Sequence, residues 1–341
     1  MQSRAVKAAM RDLYGGPDVV SVRDIDKPSP GESDVLVRVI AASVNRADLD
    51  GLYPRWQFTR LFLGLRRPKE AYRRLGIDVA GVVETVGPKV ASLKAGDDVF
   101  SDLSAFGGGA FAEYVCAPER AFAAMPATMS HENAATLPHS AIIAIHAFRP
   151  RGGRSLAAGM RVLVVGASGN VGPFVVQLAK SRGADVTAVV GGDKSDLARS
   201  LGADQVVDYR TTDYTRPAEP YDWIVDVSAH HPIRRWVRAL RPDGVYVAFA
   251  GSAWWLFSSA LLGPIISRLT GKRLGLAFVG PFRPDDVEEL RKVVAKGVLR
   301  PVIDRRFSLD EVVEALRYVD EGQARGKVIV TPGSSPLESV G

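Results

Sequence analysis

Three glycines define the first chemistry available to this chain. In RVLVVGASGNVGPFVVQLAK, Gly166, Gly169 and Gly172 stand at GxxGxxG spacing between a β-branched run and a helical run. A strand, a tight turn and a helix in that order hold a dinucleotide pyrophosphate, because backbone N–H groups and the helix N-terminus face the phosphates and a side chain in the turn would block them. The turn Gly166, Ala167, Ser168, Gly169, Asn170, Val171 and Gly172 is therefore expected to cradle a dinucleotide, with Gly172 also letting the helix approach the strand.

The end of the next strand decides which dinucleotide. An Asp or Glu about twenty residues on would accept hydrogen bonds from the ribose 2′-hydroxyl of NAD. Here that place reads ADVTAVVGGDK, where Gly191 and Gly192 leave room for a 2′-phosphate and Lys194 supplies its counter-charge. NADP(H) is the expected cofactor. Asp193 is the opposing feature, since it would accept a 2′-hydroxyl and repel a phosphate.

Elements must position these groups, and composition bounds them. At 341 residues, two domains are expected. With 46% hydrophobic and 24% charged residues, the composition is that of a globular protein and excludes a largely disordered, collagen-like or coiled-coil chain. The single cysteine, Cys116, forms no intrachain disulfide and no four-cysteine zinc site, reads as an inert core thiol, and fits a reducing, cytoplasmic location. Net charge is +6, but basic residues interleave with acids, so anionic ligands are expected and nucleic acid is not. The N-terminus lacks the apolar run of a secretory signal. Residues 244–267 carry no charge, but GVYVAFAG reads as a buried strand and AWWLFSSALLGPII as a separate apolar segment interrupted by Gly263-Pro264, so no membrane-spanning helix is expected.

Up to about residue 125 the chain is β-rich, with short β-branched runs punctuated by Gly and Pro. From about residue 133 helical and strand patterns alternate: NAATLPHSAIIAIHAF, RVLVVG, NVGPFVVQLAKSRG, DVTAVV, KSDLARSLG, QVVDY, YDWIVDVS, HPIRRWVRALRPDG, VYVAFAG and GLAFVG. That alternation implies an α/β class with a doubly wound parallel sheet. After Pro281 come a helix in DDVEELRKVVAKG, a capping-box signal at Ser308 and Glu311, apolar positions Val312, Val313, Leu316 and Val319 on one helical face, a last strand KVIVTP and a flexible tail.

Taken in order, SVNRADL, GIDVAGVVETVG, GAFAEYVCAP, LPHSAIIAIHAF, GASGNVG and ARGKVIVTP make nearly the whole chain resemble a zinc-free medium-chain dehydrogenase/reductase of the quinone-oxidoreductase type. The resemblance implies a GroES-like β-rich domain over 1–125, a Rossmann NADP(H)-binding domain over 126–280, and a segment over 281–341 that returns to complete the first domain. It further implies an active site in the cleft, a homodimer, and Tyr209 of VVDYR helping to hold a 2′-phosphate. The zinc alcohol dehydrogenase branch has Cys where Asn45 stands, GHE where Gly76-Ile77-Asp78 stands, and a four-Cys lobe absent here, so no metal is expected. The family's entry helix has Thr where Ile143 stands, which bears on the nicotinamide contacts.

Without a metal, hydride addition to the β-carbon of an enone or to a quinone is favoured over alcohol oxidation, because charge delocalises onto oxygen. Asn45 is the candidate for orienting cofactor or substrate, with a turn-stabilising role as its alternative, and Asp48 is expected to fix its loop. Tyr53 either donates to the oxyanion or packs, and His139 either donates a proton or is a structural histidine. His230 and His231 read as loop polar groups.

The basic run with Arg60, Arg66, Arg67, Lys69, Arg73 and Arg74 has three readings: phosphates of an acyl-CoA, an anionic membrane surface, or a solvated face. Trp254, Trp255, Leu256 and Phe257 read as a large apolar pocket or an interface. The leading expectation is an NADPH-dependent reductase of a lipophilic, possibly anionic, enone, quinone or enoyl thioester. The alternatives are a cofactor-sensing protein with weak turnover and a peripheral membrane protein.

Overall fold

The structure, a computed structural model, describes residues 5–54, 59–249, 263–276 and 282–333. The chain divides into two units: Met1–His139 with Pro281–Val287 and Ile303–Gly341, and Ser140–Gly280 with Glu288–Val302.

In the first unit, β1 (Ala5–Arg11) and β2 (Val20–Asp26) form an antiparallel pair. Next comes β3 (Asp34–Val44), rich in Val and Ile and largely buried, as suits a central strand. It pairs antiparallel with β4 (Asp78–Val86), which pairs with β5 (Asp98–Asp102), while β6 (Tyr114–Pro118) pairs with the start of β3 and β7 (Ala123–Ala124) with β5. The approach of β3 and β4 is close enough that a Cβ on Gly81 would lie 2.2 Å from the Arg38 carbonyl oxygen. Helix α1 (Arg46–Leu52) follows β3 and buries Leu49 and Leu52; α2 (Thr59–Leu63) is a short helix.

α3 (His131–Ala135) packs on β3, β4 and β5, which is why this unit extends to His139 and not only to residue 125. α4 (Pro138–Ala147) begins after a break at Thr136-Leu137, so the continuous helical pattern of the sequence is two helices.

The second unit is a six-stranded parallel sheet. Its strands are β8 (Arg161–Val165), β9 (Asp185–Val190), β10 (Gln205–Asp208), β11 (Tyr221–Asp226), β12 (Leu240–Ala248) and β13 (Arg273–Leu276), in the order β10-β9-β8-β11-β12-β13. Every residue of β11 is buried, as in a sheet covered on both faces. The order reverses between β8 and β11, the switch point where such sheets bind nucleotides. Helices α5 (Gly172–Ser181), α6 (Ser195–Ser200) and α7 (Ile233–Ala239) connect the strands, and α8 covers 263–270. RPDG, whose Pro, Asp and Gly are turn-forming residues, lies within β12 as an irregularity with Asp243 at φ 62° and a register shift opposite Tyr221/Trp223.

α9 (Pro284–Ala295) and the residues after it reach the second unit through Gln177, whose amide donates to the Arg300 carbonyl at 3.1 Å and accepts its N–H at 2.8 Å. The chain then returns to the first unit, so the segment after residue 281 belongs to both. β14 (Ile303–Ser308) leads into α10 (Val312–Asp320), and β15 (Lys327–Thr331) lies between β14 and β3 in a seven-stranded sheet. Glu311 accepts the Ser308 N–H at 2.8 Å, and Val312, Leu316 and Val319 are buried on one face of α10, as the sequence pattern predicts, while Val313 is only half-buried.

Candidate functional site

The glycine bend lies at the end of β8, in the second unit. Gly166 adopts φ 79°, a left-handed conformation, and the N–H groups of Gly166 and Ala167 both point to the Val189 carbonyl, at 3.2 and 3.1 Å. A Cβ on Gly172 would lie 2.1 Å from the Gly166 oxygen and 2.5 Å from Ala167 Cα, so no other residue fits where the helix meets the strand. Gly169 differs: a Cβ there would touch only the Gly166 oxygen, at 3.6 Å. Ala167, Ser168 and Val171 are buried, Asn170 is half-buried and Gly169 exposed. The first turn of α5 has no side-chain cap; Pro173 has no N–H, and Phe174 and Val175 donate to the Val171 carbonyl, so what this helix end offers a phosphate is chiefly the positive end of its dipole. The residues present therefore fit a bound dinucleotide.

Across the switch point, Asp226 ends β11. Its carboxylate accepts the N–H groups of Ser228 and Ala229 at 3.1 and 2.7 Å and the Tyr246 hydroxyl at 2.9 Å. This sets the loop whose Ser228 hydroxyl would lie 2.9 Å from a Cβ on Gly166. Sequence reasoning missed Asp226; its place at the tip of a strand beside the switch point was the available signal.

At the end of β9, the turn Gly192–Lys194 follows Gly191. A Cβ on Gly192 would meet Asp208 Oδ2 at 2.4 Å, and one on Gly191 would meet Arg210 Nη2 at 3.1 Å. Arg210, which the sequence reading also missed, pairs with Asp193 at 3.1 Å and lies 5.6 Å from the Tyr209 ring centre. Tyr209 is 54% exposed. The negative charge that opposed a 2′-phosphate thus carries its own counter-ion.

The first unit holds a second polar centre. Ser43, Asp78 and Asp102 stand opposite one another across β3, β4 and β5. Asn45 follows β3 as the N-cap of α1, and its N–H donates to Asp48 Oδ2 at 2.8 Å, as expected of a residue that fixes this loop. The Asn45 amide donates to Asp78 Oδ2 at 2.9 Å and accepts from Lys327 Nζ at 2.6 Å. Because β15 runs antiparallel to β3 with Val328 opposite Val44, Lys327 falls opposite Asn45. Ser43, Asn45, Asp48, Asp78, Asp102 and Lys327 are all buried.

His139, in the first turn of α4, closes this centre. Its N–H donates to Asp78 Oδ1 at 2.9 Å and its Nδ1 lies 2.8 Å from Asp102 Oδ2.

Burial shifts these groups. It pushes Asp48 up to about 7 against the Asn45 N–H, and Asp78 upward against the Lys327 ammonium. Burial lowers Lys327, with Asp78 and Asp48 pulling it back. For Asp102 burial is outweighed by His139, and its carboxyl falls below the usual range; for His139 burial is outweighed by Asp102, and the imidazolium is favoured. We take Asp78 and Lys327 as ionised, since Ser43, Asn45 and His139 all donate to the carboxylate.

Tyr53 lies elsewhere in the same unit: its hydroxyl donates to Asp320, which also pairs with Arg46 at 3.1 Å. Ile143 is buried on α4. Cys116 is half-buried on β6 and not in the core as expected; partial burial pushes its thiol up to about 11, which still suits an inert thiol. His231 meets Arg235 at 3.3 Å and the Tyr214 ring. Arg60 stacks on Tyr14, and Arg73 approaches Asp12 at 3.8 Å; Arg66, Arg67 and Lys69 are exposed near exposed Leu61 and Leu65 in sequence. Trp254, Trp255, Leu256, Phe257 and the tail from residue 334 lie outside the described residues. Among the described residues no helix is long and apolar enough to cross a membrane, and no group of three or more His, Cys, Asp or Glu is placed to hold a metal ion.

A parallel sheet ordered about a switch point, a glycine bend and a separate GroES-like sheet define a pyridine-nucleotide oxidoreductase. Residues 31–127 match the family model "Alcohol dehydrogenase GroES-like domain" and residues 201–330 the model "Zinc-binding dehydrogenase". The chain is 30% identical to "Quinone-oxidoreductase QR1, chloroplastic" of Triphysaria versicolor, over 97% of this chain and 100% of that protein. It is 31% identical to "NADPH-dependent alkenal/one oxidoreductase, chloroplastic" of Arabidopsis thaliana, over 96% of this chain and 80% of that one. The solved quinone oxidoreductase of Coxiella burnetii matches with TM-score 0.84 and 25% identity, over 97% of this chain and 100% of the other. The chain belongs to the medium-chain dehydrogenase/reductase superfamily, as an NAD(P)H oxidoreductase of the quinone-oxidoreductase type.

Proposed function

We propose that this protein is a zinc-independent, NADPH-dependent reductase that adds hydride to an activated C=C bond or a quinone on a lipophilic acceptor. The observation that carries the choice of NADPH is the end of β9, where Arg210 pairs with Asp193 beside Gly191. Arg210, Lys194 and Tyr209 then offer two cations and an exposed hydroxyl to a 2′-phosphate, and Gly191 and Gly192 put no side chain in its way. The turn from Gly166 to Gly172 holds the pyrophosphate. Bound NADPH supplies the hydride.

The remaining chemistry belongs to the chain. Asn45 and Ile77 present an amide and an alkyl group, which do not replace thiolate and imidazole as zinc ligands, and the Lys327 ammonium already lies 3.6 Å from Asp78. Asn45 and Asp48 hold the loop after β3, Tyr53 ties α1 to Asp320, and His139 is the proton donor. The names of the quinone- and alkenal-reducing relatives support the acceptor class.

Calorimetry with NADPH and NADH, followed by turnover with quinones, alkenals and enones, tests the reading. NADPH should bind at least about tenfold more tightly, a difference of about 1.4 kcal/mol. Equal affinity for NADH removes the cofactor choice, and the absence of any reduced acceptor removes the reaction.

A further inference from the structure

His139 and Asp102 make an asymmetric pair. Nδ1 of the ring is engaged by Asp102, a carboxylate only 4% exposed whose other oxygen accepts the Ser104 N–H at 2.8 Å. Nε2 has no hydrogen-bond partner among the described residues, and the side chain keeps 18% of its surface open. The His139 backbone is pinned to Asp78, which Asn45 and Ser43 also hold, so both the ring and the chain that carries it are fixed. A carboxylate on Nδ1 sets the tautomer, favours the imidazolium, and leaves Nε2 as the end that gives up and regains a proton.

We infer, on the reductase reading above, that the Asp102–His139 pair is this enzyme's proton source and that it suits an α,β-unsaturated carbonyl better than a quinone. Hydride addition at the β-carbon breaks the C=C π bond, and its electron pair passes into an enolate. The α-carbon–hydrogen bond then forms as the Nε2–H bond breaks. The alkene gains two electrons and NADPH is oxidised by two; the neutral imidazole is reprotonated by water. A quinone takes its protons on oxygen, where water delivers them rapidly. An enolate protonated at carbon gains from a placed acid, a gain of about 10²–10⁴ in rate. Asp102 acts through His139 and is a positioning residue. The groups facing His139 are Asp102 on β5, Asp78 on β4 and Lys327 on β15, with Asp48 on α1 further out.

The test compares the full-length wild type with His139→Gln and Asp102→Asn, using NADPH, an α-methyl cyclic enone and a benzoquinone in deuterated buffer. Wild type should place a solvent deuteron on one face of the α-carbon. His139→Gln should lose about 100-fold in enone turnover and deuterate both faces, and the loss of quinone turnover should be smaller than that of enone turnover. Asp102→Asn should lower the His139 pKa, read by NMR on the free protein, and shift the basic limb of the enone pH profile downward in step.

A His139→Gln protein that keeps enone rate and facial selectivity overturns the proton source. If that variant does not fold, an unchanged His139 titration in Asp102→Asn overturns it instead. Wild type that reduces only the quinone overturns the acceptor assignment. Wild type that reduces neither acceptor overturns the functional reading itself.

Discussion

Asn45 and Lys327 are 282 positions apart in the chain, yet the lysine ammonium donates to the asparagine amide at 2.6 Å in the core of the first unit. The contact is where the returning C-terminal strand meets the end of β3, and it places a buried cation 3.6 Å from the buried Asp78 carboxylate. Removing the lysine leaves the buried Asp78 charge without the ammonium beside it.

Lys327→Met is therefore expected to destabilise the protein by about 3–5 kcal/mol. Urea unfolding measures it. Adding Asp78→Asn should recover part of the loss, because the charge left unpaired disappears; a double variant as unstable as the sum of the singles would contradict the pairing.

Asp48 makes stability depend on pH in a defined direction. Its folded-state carboxyl sits at about 7, above the unfolded value of about 4, so its contribution is complete below pH about 4 and is lost as pH rises to about 7. Asp48→Asn removes the ionisation and keeps an oxygen for the Asn45 N–H. The melting-temperature difference, variant minus wild type, should be more positive at pH 8 than at pH 5. Taking the difference cancels most of the titration of Asp78, His139 and Lys327, which face the same centre. A difference that moves the other way between the two pH values refutes the raised Asp48 pKa.

The second and third glycines of the bend should respond differently to alanine. Gly172→Ala puts a methyl 2.1 Å from a backbone oxygen, so it should both weaken NADPH binding and destabilise the fold by about 1–3 kcal/mol. Gly169→Ala meets nothing nearer than 3.6 Å and should leave the melting temperature almost unchanged while reducing nucleotide affinity. Parallel melting curves and calorimetry on both variants read the contrast.

Arg210→Ala should weaken NADPH binding by roughly 10–100-fold, the loss of one charge-assisted contact worth about 1.5–3 kcal/mol. NADH affinity should stay level or rise, because Arg210 no longer neutralises Asp193 and its carboxylate can accept a 2′-hydroxyl. Equal losses for the two cofactors would place Arg210 away from the 2′ position.

Local pattern carried much of this molecule. The capping box at Ser308 and Glu311, the apolar face of α10 and most of the parallel strands follow from periodicity and turn residues within a few positions of one another. The break between α3 and α4 has a local mark in Pro138, which disfavours helix at the residue before it, and RPDG marks the irregularity in β12; that the chain runs on as one strand through RPDG depends on what it packs against. Asn45 was singled out for its type and place, but its partners were hidden: nothing near SVNRADL announces that Lys327 will donate to it.

By itself the sequence determined the glycine bend, the alternation that makes a parallel sheet, and the absence of cysteines and histidines at zinc-ligand spacing, because these are properties of neighbours along the chain. Only the tertiary structure decided that Asp102 meets His139, that Lys327 meets Asn45 and that Arg210 offsets Asp193. The physical reason is that apolar burial leaves a periodic trace in sequence. A buried or paired charge leaves none, since its stability rests on a partner that strand register and chain return bring to it from elsewhere.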